Sequence, residues 1–551
     1  AGALSADQLA LARDERLTFR PAASTFLAPH FVEMVLASAG SSRPERIQTT
    51  LDAALQTQIA GIIESHRPTL ERHGAANVAV VVLDHRTGEW LAWEGSGDYL
   101  DTAHGGKING PLTPRQPGSA LKPFTYALAF EEGFSPASVL ADIPSSFPTA
   151  EEGIVYSPRN YDGRFRGPML ARAALAGSEN VPAVALASEI GVPKLLRFLT
   201  RAGLSTLEKT AAHYGLGLTL GNAEVRLDEL TAAYAALARG GEWLEPTWQL
   251  KSGVRTSRRI VSPRTAFWVT DILSDNEARE FIFGRGGSLE FPFPVAVKTG
   301  TSQAYHDNWT VGYSKHVTVG VWVGNFDRTP LRNSSGVTGA APIFHAVMLA
   351  ADRRARGGVT PFVAEPIVPP TGDTVRRDVC ALSGMTANAW CPNRRREWVA
   401  VESHDLPCSW HHLSDEGLVT ILPPEYASWN GARTLGRVAT VRYTNGEPAE
   451  NPARPPGSSA VNASARTKPA SFAIANPADG STYLIDPTLR REFQTLSLKA
   501  VAGSGPIEWK VDGRLLGRSS DPVEWALAPG VHRITARDAR GRTAEVTITV
   551  R

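Results

Sequence analysis

An apolar hairpin near residue 80 and three strand-like runs near residue 300 bracket a long alanine-rich block, and no other feature limits the fold more. The hairpin is ANVAVVVLDHRTGEWLAWEGS, two apolar runs split by DHRTGE, with Gly88 placed to supply the positive φ of the turn. The later runs are FPVAVKTGT, NWTVGYS and HVTVGVWVGNF, and the block between predicts helices over 119–132, 168–178, 182–203, 226–239 and 263–274. A sheet must therefore join strands far apart in the chain, with helices packed on it, which is an α+β domain spanning residues 46–370. Before the hairpin, Leu51, Ala54, Leu55, Ile59, Ile62 and Ile63 share one helical face, and Thr50 is the expected N-cap.

The texture changes along the rest of the 551 residues, a length that predicts two to four domains at roughly 100–200 residues each. Residues 1–45 read as a helical piece and an extended connector interrupted by Pro21 and Pro29. Residues 371–445 hold all three cysteines and little periodicity, and 446–471 form a Pro/Ala/Ser linker. From 472 to 551, short alternating runs such as IEWKVDG, VHRITARD and AEVTITV predict an all-β immunoglobulin-like sandwich. With 57 basic and 55 acidic residues the net charge is +2, which argues against nucleic acid as a partner. No run approaches the roughly 18–20 apolar residues of a spanning helix, and the start lacks the order of a signal peptide.

Three short motifs in the helical and strand region can carry chemistry. Ser119-Ala120-Leu121-Lys122 opens an apolar helix, Ser178-Glu179-Asn180 follows, and Lys298-Thr299-Gly300 precedes Thr301 and Ser302. Each alone has a plain structural reading: a helix N-cap with a solvated lysine, a turn, and a strand end with a bulge. Together and in this order they are specific, because they form the motif trio of serine β-lactamases and penicillin-binding proteins. The surrounding text QPGSALKPFTYALA, YSPRNYDGRFRGPMLARAALAGSENVPAVALA and VAVKTGTSQAYHDNWTVGYSKHVTVGVWVGN extends the match. Residues 46–445 thus resemble the transpeptidase part of class A penicillin-binding proteins, most closely the 1C subgroup, and the C-terminal sandwich resembles the extra domain of that subgroup.

Ser119 and Lys122 lie three apart at a helix start and share a face, so the amine can reach the hydroxyl as base to nucleophile. Burial and the nearby cation Lys298 would lower the amine's pKa. The resemblance implies that Ser178 relays a proton and that Asn180 holds a substrate amide and the lysine head. The N–H groups of Ser119 and Thr301 would form an oxyanion hole, and Gly300 would admit the substrate backbone. Thr299 and Thr301, with Lys298 behind them, suit the terminal carboxylate of a D-alanyl-D-alanine peptide.

The implied function is a peptidoglycan D,D-transpeptidase that crosslinks stem peptides through an acyl-enzyme on Ser119 and is blocked covalently by β-lactams. A D,D-carboxypeptidase, or a weakly catalytic penicillin-binding scaffold that recruits envelope partners, are the alternatives. Glu179, the middle residue of its triplet, does not match the deacylating base of a β-lactamase. Catalysis would need no cofactor, and the protein would work in the periplasm in cell-wall synthesis and cell shape. Residues 1–45 resemble the end of a missing glycosyltransferase domain, so the inner-membrane tether would precede this chain.

In that oxidising setting three cysteines are an odd number. The spacing Cys380-x10-Cys391-x16-Cys408-x2-His411 would supply a Cys3His tetrahedral zinc site, with His412 as a spare ligand. A Cys380–Cys391 disulfide that leaves Cys408 free, and three unlinked cysteines, are the other readings.

Overall fold

The computed structural model describes residues 26–39, 45–148, 154–250, 253–358, 365–415, 417–429, 440–443, 472–477, 479–483, 495–501, 503–520 and 523–550. The expected helix within 1–25 and the linker at 446–471 lie outside the described residues. A five-stranded antiparallel sheet ordered β2–β1–β5–β4–β3 fills the centre. Here β1 (Asn77–Asp84) and β2 (Glu89–Glu94) are the hairpin, and β3 (Ala296–Thr301), β4 (Asp307–Tyr313) and β5 (Thr318–Gly324) are the later runs. Gly88 has φ +72° at the hairpin turn. The non-local pairing is β1 with β5, where Val80 faces Val321 and Val82 faces Val319.

Alternation divides β1 between two cores. Val78, Val80 and Val82 pack with Ile59 and Ile63 of helix Ala53–Arg72 and Val347 of helix Ala341–Ala355. Ala79, Val81 and Leu83 face the helical lobe, with Phe124, Tyr234 and Trp268. Both faces are covered, which is why the strand reads as one unbroken apolar run. Strand β3 is an edge of the sheet, open toward the helical lobe.

Several local expectations are corrected. Asp52, not Thr50, caps helix Ala53–Arg72, accepting from the N–H groups of Ala54 and Leu55 at 3.0 and 3.1 Å. The Thr50 hydroxyl instead donates to the Trp90 carbonyl at 2.7 Å, tying the entry of the helix to β2. The stretch around Pro29 is not extended: Pro29–Ser38 is a helix with proline in its first turn, burying Phe31 and Val35. The segment 182–203 is two helices, Asn180–Ile190 and Val192–Arg201, broken at Gly191 with φ +91°. The segment 168–178 opens as strand Gly167–Leu170 before helix Ala171–Ala176.

The cysteine-bearing segment holds strands Thr374–Cys380 and Arg394–Ala400, paired antiparallel, and a small sheet of His411–Ser414, Gly417–Leu422 and Thr440–Tyr443. The described C-terminal residues are all β. Strands Ala473–Asn476, Thr495–Val501 and Val523–Ala526 form one sheet. A second contains Arg514–Ser519, Ile507–Val511, Gly530–Arg537, Thr543–Val550 and Thr482–Tyr483. This second sheet does not end with the C-terminal strands: Thr482–Tyr483 pairs in parallel with Ile154–Tyr156, which pairs with Phe147–Pro148. No described helix is long and apolar enough to cross a membrane.

Arg172, 6% exposed, fastens the 374–400 hairpin to the helical lobe. Its guanidinium meets Glu397 at 2.6 Å, Asp275 at 3.0 Å and Asp271, and the Glu397 side chain is fully buried. Arg172→Ala would leave Glu397 as an uncompensated buried charge, at a cost of about 3–5 kcal/mol. The denaturation midpoint should fall accordingly; an unchanged midpoint would show that the network does not hold the hairpin.

Candidate active site

The three motifs meet where the helical lobe touches the open edge of β3. Ser119 lies in a 3-10 turn, Gly118–Leu121, that leads into helix Lys122–Glu131. Two glycines let this turn press against the strand. A Cβ on Gly118, whose φ is +55°, would lie 2.3 Å from the Thr301 carbonyl oxygen. One on Gly300 would lie 2.0 Å from the Pro117 carbonyl oxygen and 3.1 Å from Ala120 Cβ. Gly300 is therefore required by the serine turn itself, where the sequence reading assigned it to substrate approach.

Ser178 occupies the left-handed region with φ +62°, between helices Ala171–Ala176 and Asn180–Ile190. A non-glycine residue there costs of order 1–3 kcal/mol and persists only where its surroundings demand it. The turn is held by N–H donation from Ser178 to Leu175 O at 3.1 Å and from Glu179 to Ala174 O at 3.0 Å. It presents the Ser178 carbonyl to one lysine and the Ser178 hydroxyl to another.

The first is Lys122, fully buried. Its three N–H bonds have three acceptors: Ser178 O at 2.5 Å, Asn180 Oδ1 at 2.6 Å and Glu179 O at 3.0 Å. Burial lowers this amine to about 7, against the pull of Glu179. The second, Lys298 on β3, donates to Ser178 Oγ at 2.7 Å and to Thr299 O at 2.9 Å. Burial, then the charges of Lys122 and Arg279, hold it well below the ordinary lysine range.

Ser119 Oγ makes no hydrogen bond among the described residues and lines a cleft with Ser178, Asn180, Thr299 and Thr301. The expected direct Ser119–Lys122 bond is not formed, because the amine is spent on the second motif. Asn180 also differs from expectation: its Nδ2 donates to Arg159 O at 2.8 Å, so both ends of its amide are engaged within the protein. Thr301 Oγ1 accepts from the Gly336 N–H at 3.0 Å, which leaves its own proton to donate.

Residues the motifs do not name complete the site. Asn160 Oδ1 accepts from the N–H groups of Asn180 and Val181 at 2.9 and 3.1 Å, capping the helix that carries Asn180. Asn160 Nδ2 in turn donates to Asp142 at 2.6 Å. Asn160 stood inside the quoted run RNYDGR, where a buried asparagine cap has no signature distinct from a turn. Glu179 points away from the cleft into an ion pair with Arg166 at 3.0 Å, and burial pushes its carboxyl up. Tyr161, Leu220, Phe283 and Val337 supply apolar cleft wall that no motif foretold.

The cysteine cluster is separate. Cys380, Cys391, Cys408 and His411 are all buried, with one ligand atom of each within 4.8 Å of the others. The three cysteines are unlinked, so the Cys380–Cys391 disulfide reading is corrected. His412 is exposed, its Nε2 2.6 Å from Ser409 O, and does not join them.

Residues 78–349 match the penicillin binding protein transpeptidase domain, and residues 462–548 match the penicillin-binding protein C-terminus family. Penicillin-binding protein 1C of Escherichia coli (strain K12) is 33% identical over 351 residues, 63% of this chain and 43% of that protein. Penicillin-binding protein 1A of Neisseria gonorrhoeae is 29% identical over 285 residues, 48% of this chain and 34% of that protein. The chain spans less than half the length of these curated relatives. Among solved structures, penicillin-binding protein 1A from Haemophilus influenzae superposes with a TM-score of 0.50 at 23% identity, over 61% of this chain and 54% of that one. PonA1 from Mycobacterium tuberculosis does so with a TM-score of 0.50 at 20% identity, over 63% and 95%. These likenesses establish the mixed α/β transpeptidase fold.

Gly300→Ala tests the packing of turn against strand. The added methyl meets backbone that cannot yield cheaply, so stability should fall by about 1–3 kcal/mol. An alanine variant as stable as the parent would contradict the close approach.

Proposed function

We propose that the chain, whose residues 78–349 match the penicillin binding protein transpeptidase domain, is a class A penicillin-binding protein and, on that premise, a serine D,D-transpeptidase that crosslinks peptidoglycan stem peptides. One observation carries the reading: a serine hydroxyl with no hydrogen bond among the described residues faces a cleft that Ser178 also lines, and Ser178 bridges two buried lysines. Ser119 Oγ attacks the carbonyl carbon of the penultimate D-alanine, and the terminal D-alanine leaves with a proton on its amine. Lys122, neutral in part near pH 7, takes the serine proton once it gives up one of its three donated bonds to the second motif and turns the freed lone pair toward Oγ. Ser178, bonded to Lys298, relays a proton to the leaving amine.

The developing oxyanion lies against the N–H groups of Ser119 and Thr301, whose backbones the two glycines bring together. Thr299, Thr301 and Lys298 receive the substrate carboxylate. The amine of a second stem peptide then attacks the ester, freeing Ser119. The side chains of the cleft supply this chemistry themselves, and a β-lactam would be attacked by the same oxygen. The substrate sets the place of work, the periplasmic side of the inner membrane. Within the chain we set the transpeptidase region at 46–370, the cysteine-bearing extension at 371–445 and the C-terminal β region at 472–551.

Intact-protein mass spectrometry after incubation with a β-lactam panel should show one covalent adduct, lost in Ser119→Ala. An adduct on another residue of that variant would reassign the nucleophile. The amine acts as base only when deprotonated, so the acylation rate should rise with pH through about 7. Lys122→Ala should be slower by about 10²–10⁴-fold and should lose that inflection. A parent rate flat across this range would remove Lys122 from the role. Crosslinked dimer from stem peptides with a free acceptor amine separates a transpeptidase from a carboxypeptidase, which would release D-alanine alone.

A further inference from the structure

We propose that Cys380, Cys391, Cys408 and His411 bind one zinc ion in a closed tetrahedral site that staples residues 380–426 to the strand supporting the second catalytic motif. Four ligand atoms from separate turns converge on one point, within 4.8 Å of one another. His411 Nδ1 lies 3.4 Å from both Cys380 Sγ and Cys408 Sγ. Zinc with Zn–S near 2.3 Å and Zn–N near 2.0–2.1 Å places neighbouring tetrahedral ligands about 3.5–3.8 Å apart, so the atoms already stand close to the corners of that polyhedron.

Buried cysteines often serve as small apolar side chains, and the surroundings decide against that here. Each sulfur receives a donor: Ser383 N–H to Cys380 at 3.5 Å, Asn388 N–H to Cys391 at 3.3 Å and the Ser383 hydroxyl to Cys408 at 3.1 Å. Donors directed at sulfur stabilise the thiolate form, and a divalent cation at the centre would hold together three thiolates in a dry pocket that otherwise keeps them as neutral thiols. Three thiolates and an imidazole, with no coordinating water needed, are the donor set of a structural zinc site.

The position says what the staple holds. Met385, Trp410, Leu422 and Tyr426 form an apolar shell around the cluster, and Val139, Ala141 and Ile143 pack against it. Gly384, with φ +69°, sits where a Cβ would lie 2.0 Å from the Ala137 carbonyl oxygen, so the first cysteine turn rests directly on the chain leading into strand Val139–Asp142. Asp142 ends that strand and holds Asn160, which caps the helix of Asn180. Outside this shell the segment packs Val379 and Val399 on Ala137 and Leu170, and the metal would supply the staple within the cysteine turns themselves.

The test uses the full chain, purified under reduction, loaded with zinc sulfate and dialysed, then analysed for metal. About one zinc per chain should remain, and cobalt substituted for it should show the thiolate-to-metal and d–d bands of a tetrahedral sulfur-rich site. Cys408→Ser and His411→Ala should lose the retained zinc while a variant of the exposed neighbour, His412→Ala, keeps it. Should the ligand variants fail to fold, the parent decides alone: a chelator should lower its melting temperature, and mercurial modification of the thiols should release the zinc. Parent protein that retains no zinc, that holds a Cys380–Cys391 disulfide, or whose zinc survives loss of Cys408 would each overturn the site.

Discussion

The arrangement of the three motifs depends on a lysine amine with no exposure to water. A cation in that position is expensive unless each of its protons finds an acceptor, and Lys122 finds them on three consecutive residues, Ser178, Glu179 and Asn180. The left-handed Ser178 meets that demand, because its turn offers two successive carbonyls and a side-chain oxygen to one amine. It also fixes the serine turn, which is anchored one helical turn away from the same lysine. The same burial that makes the cation costly brings the amine toward neutrality at working pH. Structural constraint and catalytic poise are here one property of one side chain.

A second layer keeps that arrangement in register. Asn160 caps the helix of Asn180, Asp142 holds Asn160, and strand Val139–Asp142 lies under the cysteine-bearing segment. Arg172 holds the same segment through Glu397 of its 374–400 hairpin and reaches helix Pro263–Ser274 through Asp271. The C-terminal strands extend this support, because their sheet runs on through Ile154–Tyr156 and Arg159 meets Glu524 at 3.6 Å. Arg159 is the residue whose carbonyl receives Asn180 Nδ2. The appended β region thus touches the loop that holds the Asn180 side chain.

The central sheet was legible because β1 and β5 are covered on both faces and read as nearly unbroken apolar runs, whereas β4 is as buried but carries Asp307, Asn308 and Thr310. Helix Pro263–Ser274 was legible to the residue, since Ser262 and Pro263 mark its start chemically. The motifs located Ser119, Lys122, Ser178, Asn180 and Lys298, all of which the fold brings together. What stayed hidden follows from long-range partners. Strands such as Thr374–Cys380 and Arg394–Ala400 are charged and half-exposed, carrying arginines that only a distant Asp or Glu explains. The roles of Asn160, Asp142 and Arg172 reside in contacts many residues apart, and no local pattern records them. Gly300 was visible as a glycine, but whether it yields to substrate or to Pro117 is decided by the turn packed on it.

The central claim is that Lys122 is partly neutral where the enzyme works, and titrating it directly tests this without any substrate. Full-length protein labelled with 13C at the lysine ε-carbons can be followed by NMR across pH, with Lys122→Ala supplying the assignment. A resonance absent from that variant should titrate near 7. A Lys122 signal titrating with the ordinary lysines, near 10.4, would contradict it.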